Sequence, residues 1–189
     1  MARALTSGFR HGRGAAAAAL LVGILAACQL PLGRPGTVVL PNPPGSPIDN
    51  DIDPAALETD LIAHVNAARI EQGARELRPL DPMTRAARDH ARELASRHEL
   101  DHTSTRPGHG TFAQRLAQAG APAWTLAGEN LIMLPYNTVD VSERAVLGWL
   151  GSPSHREQML ESTYTDTGVG VGRDEHGNWY IVQLFIRRR

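Results

Sequence analysis

An α+β fold is predicted by two features of the chain's folded part: segments of helical spacing come first, and a pair of strand-like runs comes last. Gly168-Val169-Gly170-Val171-Gly172 alternates with period two, and a polar turn at Asp174–Asn178 separates it from the aromatic and β-branched run Trp179–Ile186. The second run is nearly continuous in apolar residues, the pattern of a strand buried on both faces. Together the two runs predict a C-terminal β-hairpin.

The helices have readable starts and stops. Asp53-Pro54 places an N-capping carboxylate before a proline at the first helical position, where the missing N–H has no intrahelical partner to lose. Leu57, Leu61, Ile62, Val65 and Ala68 follow at helical spacing, and Gly73 marks the stop. Asp81-Pro82 repeats the start signal, and the second helix is expected to reach about Arg97. It carries Ala86, Ala87, His90, Ala91, Leu94 and Ala95 on a face of small residues, with His90 read as a core histidine. Thr111 and Gln114 form a capping box for a short helix, Phe112–Ala119, that stops at Gly120. Another helix is expected from Val141 to Leu150, opened by Asp140. Trp124, Trp149 and Trp179 read as core.

The 189 residues suffice for one domain of ordinary size. The formal charge of −1 lacks the basic excess of a non-specific nucleic-acid binder, so nucleic acid is not an expected partner. All 19 cationic residues are arginine, which carries no functional reading. The single cysteine, Cys28, excludes an intramolecular disulfide framework and a Cys-rich zinc module.

The first fourteen residues hold three arginines and no acid, and the apolar run Ala15–Ala27 follows. That run is shorter than the roughly 20 apolar residues a spanning helix needs, and it has the form of a secretory signal. Leu25-Ala26-Ala27-Cys28 resembles the bacterial lipobox, so residues 1–27 are expected to be removed and Cys28 acylated, palmitate among its chains. Two acyl chains anchor stably where one does not. Gln29 after the cysteine, by resemblance to that class, favours the outer membrane of a cell that has one. Removing Met1–Ala27 would lower the charge from −1 to −4, which argues against attraction to anionic lipid. Residues 28–53 hold six prolines and three glycines and read as a tether to a domain at 54–189.

Motifs within that domain point to a family. They are Val65-Asn66-Ala67-Ala68-Arg69, Asp101-His102-Thr103, Gly128-Glu129-Asn130-Leu131, Trp149-Leu150-Gly151-Ser152-Pro153-Ser154-His155-Arg156, and Tyr164 to Gly170. In this combination the chain resembles the CAP (SCP) superfamily, most closely its bacterial extracellular branch. The resemblance covers Leu57–Ile186. It implies an α-β-α sandwich with a central antiparallel sheet and a shallow cleft that, in eukaryotic relatives, holds two histidines and two glutamates able to take a divalent metal. His102 matches the first family histidine and Glu129 the GEN glutamate. Ser152 stands where the second glutamate would be, and the segment with the other histidine is missing, although His155 is placed to substitute in part. Asn66 and Arg69 read as anchors for neighbouring loops.

A neutral imidazole and a carboxylate can share a zinc ion, or the carboxylate can fix the histidine tautomer as part of the scaffold. Ligand or metal candidates are therefore His102, Glu129, His155 and His98, with zinc the metal to consider. His98-Glu99-Leu100-Asp101-His102 also satisfies H-E-x-x-H, in which Glu99 would act as general base, provided that one helix runs through all five residues. The expected function is a lipid-anchored envelope binding module for a lipid, cell-wall or protein ligand. The alternatives are a metal-dependent hydrolase built on His102 with Glu129 and His98 or His155, and a purely structural envelope protein.

Overall fold

A computed structural model describes residues 52–189; the predicted signal peptide, Cys28 and all but the last two residues of the predicted tether lie outside the described residues. Helix α1 spans Pro54–Glu71, followed by β1 (Arg78–Pro79), α2 (Asp81–Arg97), α3 (Phe112–Gln118) and β2 (Trp124–Leu134). Then come α4 (Val141–Gly151), α5 (Pro153–Leu160), β3 (Asp166–Arg173) and β4 (Trp179–Arg188). The strands form one sheet in the order β1-β3-β4-β2. Its central pairings, β3–β4 and β4–β2, are antiparallel, and the two-residue β1 adds a short parallel edge on β3. No helix among the described residues is long and apolar enough to cross a membrane.

Helices cover both faces, giving the expected three layers. Central strand β4 shows why its sequence is continuously apolar. Trp179, Ile181 and Phe185 enter the core beneath α1, α4 and α5, while Tyr180, Val182, Leu184 and Ile186 enter the core beneath α2 and α3. Alternate side chains point to opposite faces, so a strand buried on both sides must be apolar at every step.

The alternation in β3 has a different cause. Val169 and Val171 face the α1 side. Gly168, Gly170 and Gly172 face α2, whose backbone lies so close that a Cβ on Gly170 would come within 2.0 Å of the Arg88 nitrogen. The small-residue face of α2 and the bare face of β3 are thus two halves of one contact.

Local signals are realised unevenly. Asp53 accepts from Ala55 and Ala56 as the N-cap of α1, Gly73 closes its end at φ +77°, and Thr111 and Gln114 make the capping box of α3. Asp81, by contrast, is the first helical residue of α2; Leu80 takes the cap position and supplies no side-chain bond. Asp140 opens α4 in a left-handed conformation, φ 50°, again without a side-chain cap. Asn66 and Arg69 do anchor loops: Asn66 exchanges two bonds with the Leu77 backbone, and Arg69 binds the carbonyls of Arg75, Met159 and Glu161.

Candidate functional site

The GEN segment lies in a strand. Gly128, Glu129 and Asn130 sit within β2, the edge strand opposite β1, in register with Phe185, Leu184 and Gln183 of β4. Strand alternation sends Glu129 and Asn130 to opposite faces. Glu129 meets the α2–α3 layer, and Asn130 meets the first turn of α5, where its Nδ2 donates to the His155 carbonyl at 2.9 Å. An open cleft of about 450 Å³ therefore runs along the edge strand between the two layers, lined by His102, Phe112, Glu129, Asn130, Ser154 and His155 among others.

The cleft's centre is a three-residue chain. His102 Nδ1 lies 2.9 Å from Glu129 Oε1, and Arg115 Nη2 donates to Glu129 Oε2 at 2.5 Å. A carboxylate only accepts, so Nδ1 of His102 carries a proton and Nε2 remains for the cleft. The side chains of Glu129 and Arg115 are 1% and 3% exposed, whereas that of His102 is 57% exposed. Arg115 also donates to the carbonyls of His102 and His109, which fastens the loop carrying His102 onto α3.

Charge is distributed unequally between the two histidines. The hydrogen bond to Glu129 raises the pKa of His102 against the opposing cost of burial. Burial, and then the charge of His102, lowers that of His155. On protonation the cleft takes its positive charge first at His102.

His98 and Glu99 are elsewhere. Helix α2 ends at Arg97, and His98 adopts a left-handed conformation with φ 52°. Its N–H and that of Glu99 turn back to the carbonyls of Ala95 and Leu94, a helix-terminating pair of bonds. The continuous helix required by H-E-x-x-H is therefore not formed. His98 instead contacts Asp174 and Glu175 in the hairpin turn, and Glu99 is an exposed partner of Arg97. His155 lies in the first turn of α5, whose cap position is held by Ser152. His90 is fully buried, with Nε2 on the Asp101 carbonyl.

The donor set does not fit a divalent metal. Both oxygens of Glu129 are engaged, one by a guanidinium that would oppose a cation, and one imidazole nitrogen of His102 is used on Glu129. Among the described residues no group of three or more His, Cys, Asp or Glu side chains is placed to hold a metal ion. The arrangement is suited to presenting a fixed imidazole, the His155 ring and the Ser154 hydroxyl to a bound molecule. Asn130 Oδ1 at the cleft floor has no hydrogen-bond partner.

Arg115 escaped the sequence reading. The available signal was its phase: Phe112, Arg115, Leu116 and Ala119 share one helical stripe, so the arginine falls on the apolar face and requires a buried partner.

Residues 62–185 match the profile of the cysteine-rich secretory protein family, CAP. A Bacillus subtilis (strain 168) protein described as the uncharacterized membrane protein YlbC is 34% identical over 131 residues, which span 69% of this chain and 34% of that protein. The chain thus spans about a third of that relative's length. An extracellular protein containing a SCP domain from Bacillus anthracis str. Ames has a similar structure, with a TM-score of 0.57 and 26% identity over 71% of this chain and 41% of its own. An outer surface protein from Borrelia burgdorferi shares the fold, with a TM-score of 0.63 and 22% identity over 73% of this chain and 97% of its own.

Proposed function

From the premise that the chain belongs to the cysteine-rich secretory protein (CAP) family, we propose that it is an exported binding module of the cell envelope, anchored through lipidated Cys28. Its ligand is an extended polar molecule, a peptide or glycan segment of the cell wall, lying along the edge of β2. One observation carries this reading: a cleft that sets polar side chains among apolar surface runs along the edge strand β2, between His102 on one wall and His155 on the other. An open edge offers backbone donors and acceptors to an extended chain, and the side chains supply selectivity.

Export is supported by the lipobox-like Leu25–Cys28 and by the description of the Bacillus anthracis relative as extracellular. The ligand reading is tested by titrating soluble cell-wall glycopeptide fragments into the protein and its His102→Ala and Asn130→Ala variants. Saturable binding that weakens about ten-fold or more in both variants, with melting curves retained, is expected; absence of binding would overturn it. Metabolic labelling with palmitate tests the anchor, and the label should be lost in Cys28→Ser.

A further inference from the structure

Arginines gather at the end of the sheet opposite the β3–β4 turn. An open cavity of about 390 Å³ lies there. It is bounded by Gly73 and Arg75 after α1, by Ser162 and Thr163 after α5, and by Arg187 and Arg188 at the end of β4. No acid is among its lining residues. The whole chain has a formal charge of −1, so this concentration of cations is a local reversal.

The walls are braced from behind. Arg69, fully buried in α1, donates through Nε to the Arg75 carbonyl at 2.8 Å. Its Nη1 donates to the Met159 and Glu161 carbonyls at 2.6 and 3.1 Å. One guanidinium thus ties the segment that carries Arg75 to the loop that carries Ser162, and sets the spacing of the two sides before anything binds. Walls fixed in advance lower the ordering cost of binding.

The arginines of the lining are not equivalent. Arg188 donates to the buried carboxylate of Asp166 at 2.8 Å, and Arg78 approaches the same oxygen at 3.4 Å, so the charge of Arg188 is already matched. Arg75 and Arg187 are exposed, and neither guanidinium makes a hydrogen bond or ion pair within the described residues. The acid beside them is Glu161, outside the lining, which accepts from the Thr163 N–H at 2.8 Å. Bonds from Thr163 lower its pKa, and the charges of Arg69 and Arg187 add to the effect. Arg69, Arg75 and Arg187 against Glu161 leave two positive charges; Glu76, which follows Arg75, does not line the cavity. Each open guanidinium fork matches two oxygens of an oxyanion. A carboxylate presents two oxygens in one plane, which a single fork occupies. A phosphate monoester presents three oxygens and up to two charges, so it can meet both forks and a hydroxyl.

We propose that this cavity binds a phosphate monoester, with Arg75 and Arg187 on its oxygens and the Ser162 hydroxyl completing the contact. A lipid headgroup and a soluble phosphate ester share this chemistry. The site uses neither His102 nor the cleft, and it stands or falls independently of the cell-wall reading.

The test is a calorimetric titration of the full chain with glycerol phosphate, with acetate and glycerol as probes that carry only a carboxylate or only hydroxyls. Glycerol phosphate should bind saturably and about ten-fold or more tightly than acetate. Arg75→Gln and Arg187→Gln remove no internal bond, so each should weaken binding about ten-fold while the melting temperature is retained. Arg92→Gln, an exposed arginine outside the cavity, should leave it unchanged. Flotation with phosphatidylcholine vesicles, with and without phosphatidate, separates the two sources. Retention that rises with phosphatidate, and does not in Arg75→Gln, assigns the site to a lipid headgroup; retention that phosphatidate leaves unchanged, with glycerol phosphate bound, assigns it to a soluble ester. No saturable binding of glycerol phosphate, equal binding of acetate, or an equal loss in Arg92→Gln would overturn the proposal.

Discussion

Replacing Arg115 with methionine would strand a buried carboxylate. The Arg115 and Glu129 side chains are 3% and 1% exposed, so water cannot take over the lost interaction. Removing one partner of such a pair costs about 3–5 kcal/mol, because the surviving charge is left desolvated, here with only the His102 N–H against it. At roughly 2.1 cal/mol/K per residue, a folded region of about 138 residues unfolds with an entropy near 0.29 kcal/mol/K, so Arg115→Met should lower the melting temperature by about 10–17 °C. The carbonyls of His102 and His109 lose their donor as well, so hydrogen exchange should quicken across residues 102–110. Thermal melts of Arg115→Met, Glu129→Leu and the double variant complete the cycle. The double variant should be less destabilised than the sum of the singles by about 2 kcal/mol or more. Additive losses, or an Arg115→Met shift below about 3 °C, would refute the view that this pair holds the cleft together.

Other predictions concern packing and titration. Gly170→Ala sets a Cβ 2.0 Å from the Arg88 nitrogen and 2.2 Å from the Ala87 carbonyl carbon, both backbone atoms, so α2 must move off the sheet. Overpacking of this kind costs about 1–3 kcal/mol or more in urea unfolding, whereas Gly151→Ala, with nothing within 4 Å, should be neutral or slightly stabilising. The raised pKa of His102 means that its bond to Glu129 contributes fully below the unfolded value near 6.5 and fades as pH rises through the folded value. Histidine NMR titrations should show the His102 midpoint falling in Glu129→Gln. The His155 midpoint should rise in His102→Gln, since the charge of His102 helps to depress it.

What can be read from sequence is what local chemistry determines. Helix α1 from Pro54, α2 to Arg97, the Thr111–Gln114 box and the hairpin each rest on signals carried within a few residues. Strand β2 is not legible in this way, because small and polar residues, Ala127-Gly128-Glu129-Asn130, interrupt Trp124–Leu134, and its buried positions follow one another without simple alternation. The pairing of His102 with Glu129 was expected from the family likeness, but the part of Arg115 was not. Its partner is fourteen residues away and becomes adjacent only when α3 packs beside the sheet edge. The H-E-x-x-H match misleads because five residues of pattern cannot report that His98 is left-handed.

In the proposed mode of binding, a polar wall ligand meets His102 and Asn130 while Arg115 keeps Glu129 from serving a metal. Calorimetric titration of cell-wall glycopeptide fragments, run once with a chelator and once with added zinc, tests it most directly. Equal affinity in the two runs, weakened in His102→Ala, is the predicted result. Binding that appears only with zinc, or micromolar binding of zinc alone that His102→Ala abolishes, would contradict it.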